Sequence, residues 1–241
     1  MNDDKDQSIV AHLEELRGTI LRCLIAVALV LPFVFYFSNN ILELLTKLSI
    51  GKNEITLNYF SPMEVFLLQL KLSLLIDLVI CFPYIVKNLW DFILPALYEN
   101  ERKFIGSIVI TSSLLFAFGV LFCLFVIVPM IINFGISFSS KEIHAMFGIS
   151  NIVNLALNLA LVFGLMFQIP LVVNMLIRWD IIDYESISKY RPYVAVVLLI
   201  FSALLTPPDI VSQILLFIPT YFLFELGLIF SKHSNSKKDD E

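Results

Sequence analysis

The sequence predicts an all-α membrane protein with six transmembrane helices. Composition, the recurrence of apolar runs near 20 residues and the placement of positive charge carry that prediction. Of the 241 residues, 59% are hydrophobic and only 15% charged, with a mean hydropathy of +0.87. Soluble domains sit near roughly 45–50% apolar and about 25% charged. The net charge of −5 says little about partners, because placement around the spans outweighs the total.

The N-terminus, "MNDDKDQSIVAHLEELRG", is acidic and polar. It lacks an apolar h-region, so it does not read as a cleavable signal peptide. Within it Ile9, Leu13, Leu16 and Ile20 recur at helical spacing, with Glu14, Glu15 and Arg17 off the stripe. Residues 1–17 therefore read as an amphipathic, interfacial entry to the first span.

A helix needs about 20 apolar residues to cross roughly 30 Å of hydrocarbon. Gly18–Phe37, Pro62–Phe82, Phe104–Pro129, Ile152–Ile177 and Ile210–Leu228 meet or approach that length. A sixth run, Pro192–Leu205, reaches only about 21 Å at 1.5 Å per residue. "TPPD" follows it, and consecutive prolines cannot continue a helix, so the fifth and sixth spans form a tight hairpin. Pro219 interrupts the last of them.

Twelve of the sixteen Lys and Arg residues fall on the side that holds both termini, and three on the other. That bias places both ends in the cytoplasm. The chain reads as one transmembrane domain over 1–241, with a first cytoplasmic loop at 83–103 and a polar tail at 231–241. The first and last three spans show no convincing repeat, which weakens an inverted-repeat transporter reading.

Catalytic signatures are missing: no HExxH, GxSxG, P-loop or dinucleotide fingerprint occurs. His12, His144 and His233 lie in separate polar segments on both sides of the membrane, which argues against a metal site. Cys23, Cys81 and Cys123 all lie in apolar runs and read as core filling.

Polar groups inside spans are costly and often functional. The second span carries Glu64, Gln69, Lys71 and Asp77. Glu64 and Lys71 share a helix face, which allows an internal pair or cavity. Alternatively Glu64 is interfacial, Lys71 snorkels outward and Asp77 snorkels toward the cytoplasm. The fourth span has Asn151, Asn154, Asn158 and Gln168 on one stripe about 100° wide. Such amides want partners, within the chain or on another subunit. Thr206, Asp209 and Gln213 cluster at the hairpin, where an ordinary turn capped by Asp209 is the simpler alternative.

Five motifs then occur in order: "HLEELR", "WDFILPALYENERK", "FGLMFQIP", "KYRPY" and "ALLTPPDIVSQILLFIP". Together they resemble the TatC family, the multispanning core of the twin-arginine protein translocase, over nearly the whole chain. The resemblance implies a concave, glove-like arrangement with short fifth and sixth helices in the bacterial inner membrane. It implies a non-catalytic receptor, with no cofactor and no nucleic acid, that works with the proton-motive force. Its partners would be the twin-arginine signal peptides of folded cargo, single-span TatA and TatB, other copies of itself and membrane lipid.

By motif match, Glu15 and Glu101 would accept the two guanidiniums, Phe92 would add apolar contact, and Arg17 would position the carboxylates. Paired N–H···O bonds to a carboxylate are stronger and more directional than a lysine contact. Thr206, Asp209 and Gln213 would lie on the docking edge for TatA and TatB. Gln168 departs from the glutamate common at that place, and an amide cannot titrate. Against this stand a transporter built on Glu64, Lys71, Asp77 and the asparagine stripe, and an intramembrane hydrolase that lacks any nucleophile–base pair.

Overall fold

The computed structural model describes residues 3–50, 57–93, 102–137, 147–179, 181–205 and 210–236, and nearly all of these are helical. Two compact units divide the chain. One combines Met1–Leu44 with Ser61–Leu114, the other Leu45–Phe60 with Leu115–Glu241.

The first unit is built on α1 (Asp3–Tyr36) and α3 (Pro62–Ile93), which pack along their lengths. α2 (Ser38–Ile50) follows α1 almost at once. α1 and α3 are antiparallel, because Phe35 meets Phe66 edge-to-face at one end and His12 meets Phe92 at the other. Ser61 opens α3 by accepting the Met63 backbone N–H at 3.3 Å. Pro62 then fills the first helical position, where its missing N–H costs nothing. Leu68, Leu72 and Leu75 recur at i, i+4 and i+7 on the buried face of α3. On α1, by contrast, Leu21, Leu24, Ile25, Leu29 and Phe33 remain exposed, as expected of a helix solvated by lipid.

The second unit receives the continuation of α4 (Arg102–Phe122) through a π-helical turn (Cys123–Ile127) into α5 (Val128–Ile136). Pro129 accounts for that turn: its ring would clash with the carbonyl four residues back. The Val128 N–H reaches five residues back to the Cys123 carbonyl instead. A two-residue parallel bridge joins β1 (Leu57–Asn58) to β2 (Phe147–Gly148). α6 (Ile149–Met166) stops at Phe167–Gln168, and α7 (Ile169–Arg178) restarts with Pro170 in its first turn. α8 (Tyr184–Lys189), α9 (Arg191–Leu205) and α10 (Ile210–Ser236) complete the chain.

Glycines set the close helix crossings here. A Cβ on Gly164 would lie 2.7 Å from the Phe116 ring, and one on Gly227 2.9 Å from the Pro170 Cα. Small residues let helices approach within a membrane, where apolar burial gives no net drive to associate. Val173, Ile177, Leu198, Phe224 and Leu228 form the core shared by α7, α9 and α10.

The expected apolar runs are all helical. Among the described residues, four stretches are long and apolar enough to cross a membrane: His12–Tyr36, Pro62–Phe92, Gly106–Ile136 and Ile149–Arg178. Arg191–Leu204 and Gln213–Ile229 are shorter apolar helices. The amphipathic N-terminus runs without a break into the first span as one helix, Asp3–Tyr36. Two details differ from the sequence reading. α3 runs through Pro83 to Ile93, so the first half of the stretch assigned to a loop is helical. Pro219 lies inside an unbroken α10. Beside it the Thr220 hydroxyl donates to the Leu216 carbonyl at 2.6 Å, the common back-bond of a threonine to the carbonyl four residues earlier.

Candidate functional site

One end of the α1–α3 pair gathers residues from two of the sequence motifs. Glu15 and Arg17 are exposed on α1, and Phe92 is half-buried on α3. The His12 imidazole stacks on the Phe92 ring with centroids 4.4 Å apart and planes inclined by 17°. Twenty-three residues of α1 separate His12 from Phe35, about 35 Å along a helix. That exceeds the hydrocarbon thickness of roughly 30 Å, so an α1–α3 pair that crosses the membrane carries the His12–Phe92 end to the water interface. Glu101 lies outside the described residues. In the sequence His12 is one of three scattered histidines. Its three-residue spacing from Glu15 was visible, but its contact across some eighty residues of chain was not.

The polar groups within the spans separate into distinct environments. Lys71 is exposed on α3. Asp77 does not snorkel: it is fully buried, accepting a hydrogen bond from the Cys81 thiol at 3.3 Å through Oδ1, while Oδ2 has no hydrogen-bond partner. Six positions separate Lys71 from Asp77, so they project about 120° apart on α3. On α6, Asn151 and Asn158 are exposed, and half-buried Asn154 donates to the Ser150 hydroxyl at 3.0 Å.

Gln168 occupies the break between α6 and α7. Its backbone N–H bonds to the Leu165 carbonyl, three residues back. Its side-chain Nε2 lies 3.5 Å from the Gly164 carbonyl, the acceptor that a regular helix would have given to that backbone N–H. An amide can donate there, whereas a carboxylate can only accept.

At the α9–α10 hairpin, Gln213 Nε2 donates to the Leu199 carbonyl at 3.1 Å, tying the two helices together. Thr206 and Asp209 lie outside the described residues. Toward the other end of the hairpin, Arg191 pairs with Glu225 at 3.4 Å, and the Tyr221 hydroxyl donates to the same Glu225 oxygen at 3.0 Å. The sequence reading missed this cluster. Its signal was present, because antiparallel packing of α9 against α10 brings position 191 alongside position 225. Among the described residues no group of three His, Cys, Asp or Glu could hold a metal ion.

The fold and these surfaces define a multi-pass helical membrane protein whose polar groups converge at helix ends and crossings. The family model for the Sec-independent protein translocase protein (TatC) matches residues 11–219. A TatC of Haemophilus influenzae is 35% identical, with 99% of this chain and 94% of that protein covered. The TatCy protein of Bacillus subtilis is 31% identical over 95% of this chain and 91% of its own length. A crystal structure described as the twin arginine translocase receptor TatC in DDM superposes with a TM-score of 0.83 at 29% identity. It covers 91% of this chain and 99% of its own. The chain belongs to the TatC family. It is a component of the Sec-independent protein translocase, a multi-pass protein of the bacterial inner membrane and not an enzyme.

Proposed function

We propose that this chain is the receptor and organising core of its translocase, binding paired-arginine signal peptides of folded cargo at the cytoplasmic face. The observation that carries this reading is the meeting of two motifs at one end of the α1–α3 pair. Exposed Glu15 stands one turn from His12, and His12 stacks on Phe92 of the second motif. A carboxylate beside an apolar ring suits a peptide in which guanidiniums precede an apolar segment. Glu101 supplies the second carboxylate and Arg17 positions the acids. The superposed crystal structure, itself described as a receptor, supports the same reading.

The rest of the proposal follows the family. Six spans place both termini in the cytoplasm, and TatA- and TatB-type partners dock along α9 and α10 near Thr206, Asp209 and Gln213. Lys71, Asn154, Asn158 and Gln168 supply polar contacts within the membrane, and the proton-motive force drives transport.

The test is affinity. In the purified full chain, Glu15→Ala and Glu101→Ala weaken binding of a synthetic Arg-Arg signal peptide by about tenfold, the loss of one charge-assisted contact. A Lys-Lys peptide binds the unmodified chain more weakly, because bidentate geometry is lost. Equal affinity for the two peptides would reject the proposal.

A further inference from the structure

We propose that His12 is a positioning residue for peptide binding: its stack on Phe92 holds the aromatic ring and Glu15 in one setting. This rests on the receptor reading above. The rings are nearly parallel, with centroids 4.4 Å apart and a 17° inclination, and the two residues come from helices that meet only by tertiary packing. A phenylalanine near a helix end keeps broad freedom about its terminal torsion. A ring pressed against one of its faces removes that freedom and leaves the opposite face and edge for a ligand. Phe92 is half-buried, as this requires.

His12 acts on Glu15 through the helix. The two residues are three apart on α1, so their side chains lie on adjacent turns of neighbouring faces. Fixing the His12 ring against α3 fixes the rotational setting of α1 at this level, and with it the direction of the Glu15 carboxylate relative to Phe92. The imidazole itself touches no reacting group. Its contribution is the aromatic face, so another aromatic ring can replace it.

Affinity for a fluorescent Arg-Arg signal peptide, measured on the full chain in detergent, tests this. His12→Ala weakens binding by about three- to tenfold, the range of an aromatic pair. His12→Phe stays within about twofold of the unmodified chain. In a Phe92→Ala background, His12→Ala adds almost nothing, since the two side chains act as a unit. The thermal unfolding midpoint of His12→Ala falls by only a few degrees, the loss of one aromatic pair at a helix end, and His12→Phe restores it.

Glu15→Ala runs in parallel. If Glu15→Ala binds like the unmodified chain, the receptor reading itself falls. If Glu15→Ala weakens binding and His12→Ala does not, the role of His12 alone is overturned. Loss in His12→Phe equal to that in His12→Ala overturns it too, because the aromatic face would then be irrelevant. Additive losses in the double variant would show that His12 does not act through Phe92.

Discussion

At Gly119 a Cβ would sit 2.7 Å from the Phe163 carbonyl oxygen and 2.9 Å from the Phe167 ring. The first of those neighbours is helix backbone, which cannot swing aside. Gly106 has nothing within 4 Å of the same position. The two glycines therefore respond oppositely to one added methyl. Gly106→Ala should raise stability by about 0.5–1 kcal/mol, the helix-propensity difference. Gly119→Ala should lower it by about 1–3 kcal/mol, as overpacking does. Thermal unfolding of the two variants in the same detergent checks the sign. Equal shifts would mean that the α4–α6 crossing is looser than its geometry. At this scale the sequence supplied identities without contacts. Glu15 and Phe92 could be singled out from their motifs, but the His12 ring that joins those motifs depends on the rotational setting of two long helices.

Helices were the most legible level, because apolar run length and periodicity follow directly from the bilayer as solvent. The expected runs are helical apart from the break at Phe167–Gln168, and α9 ends at Leu205 before α10 begins at Ile210. What the sequence did not reveal is how each proline is absorbed, and its reading of Pro219 as an interruption fails for that reason. Pro83 and Pro219 stay inside continuous helices, Pro129 coincides with a π turn and Pro170 follows a break. Those outcomes depend on what repairs the freed carbonyl, which is local tertiary detail. The α9–α10 hairpin gives the test at this level. Its Arg191–Glu225 pair has side chains 38% and 26% exposed, between a surface and a buried pair. Glu225→Leu should therefore cost about 1 kcal/mol, more than a surface pair typically gives and well below the 3–5 kcal/mol of a broken buried one. Tyr221→Phe should cost less, since Glu225 keeps its arginine. A double-mutant cycle of Glu225→Leu with Arg191→Leu should show coupling, and strict additivity would mean that the pair contributes nothing.

For the whole molecule, the count of crossings rests on the two short helices. α9 has 15 residues, or about 22 Å, well under the roughly 30 Å hydrocarbon thickness. A hairpin of that length either crosses where the bilayer is thinned or turns back inside it. Both alternatives return α10 to the side where α9 began, so the location of the C-terminus alone does not separate them. Thinning is the expected outcome. Its cost is a fraction of a kcal/mol per Å of mismatch, whereas a turn left in the hydrocarbon strands backbone groups at several kcal/mol each. Single cysteines in a chain carrying Cys23→Ala, Cys81→Ala and Cys123→Ala distinguish the two with a membrane-impermeant maleimide. Tyr59→Cys and Ser137→Cys should label from outside, and Lys189→Cys only after the membrane is opened, as six crossings with cytoplasmic termini require. The decisive position is Ile210→Cys, at the exposed start of α10 beside the turn. Labelling there from outside means that the short hairpin reaches the outer surface. Protection from both sides would mean that the turn stays in the membrane and that only four helices cross.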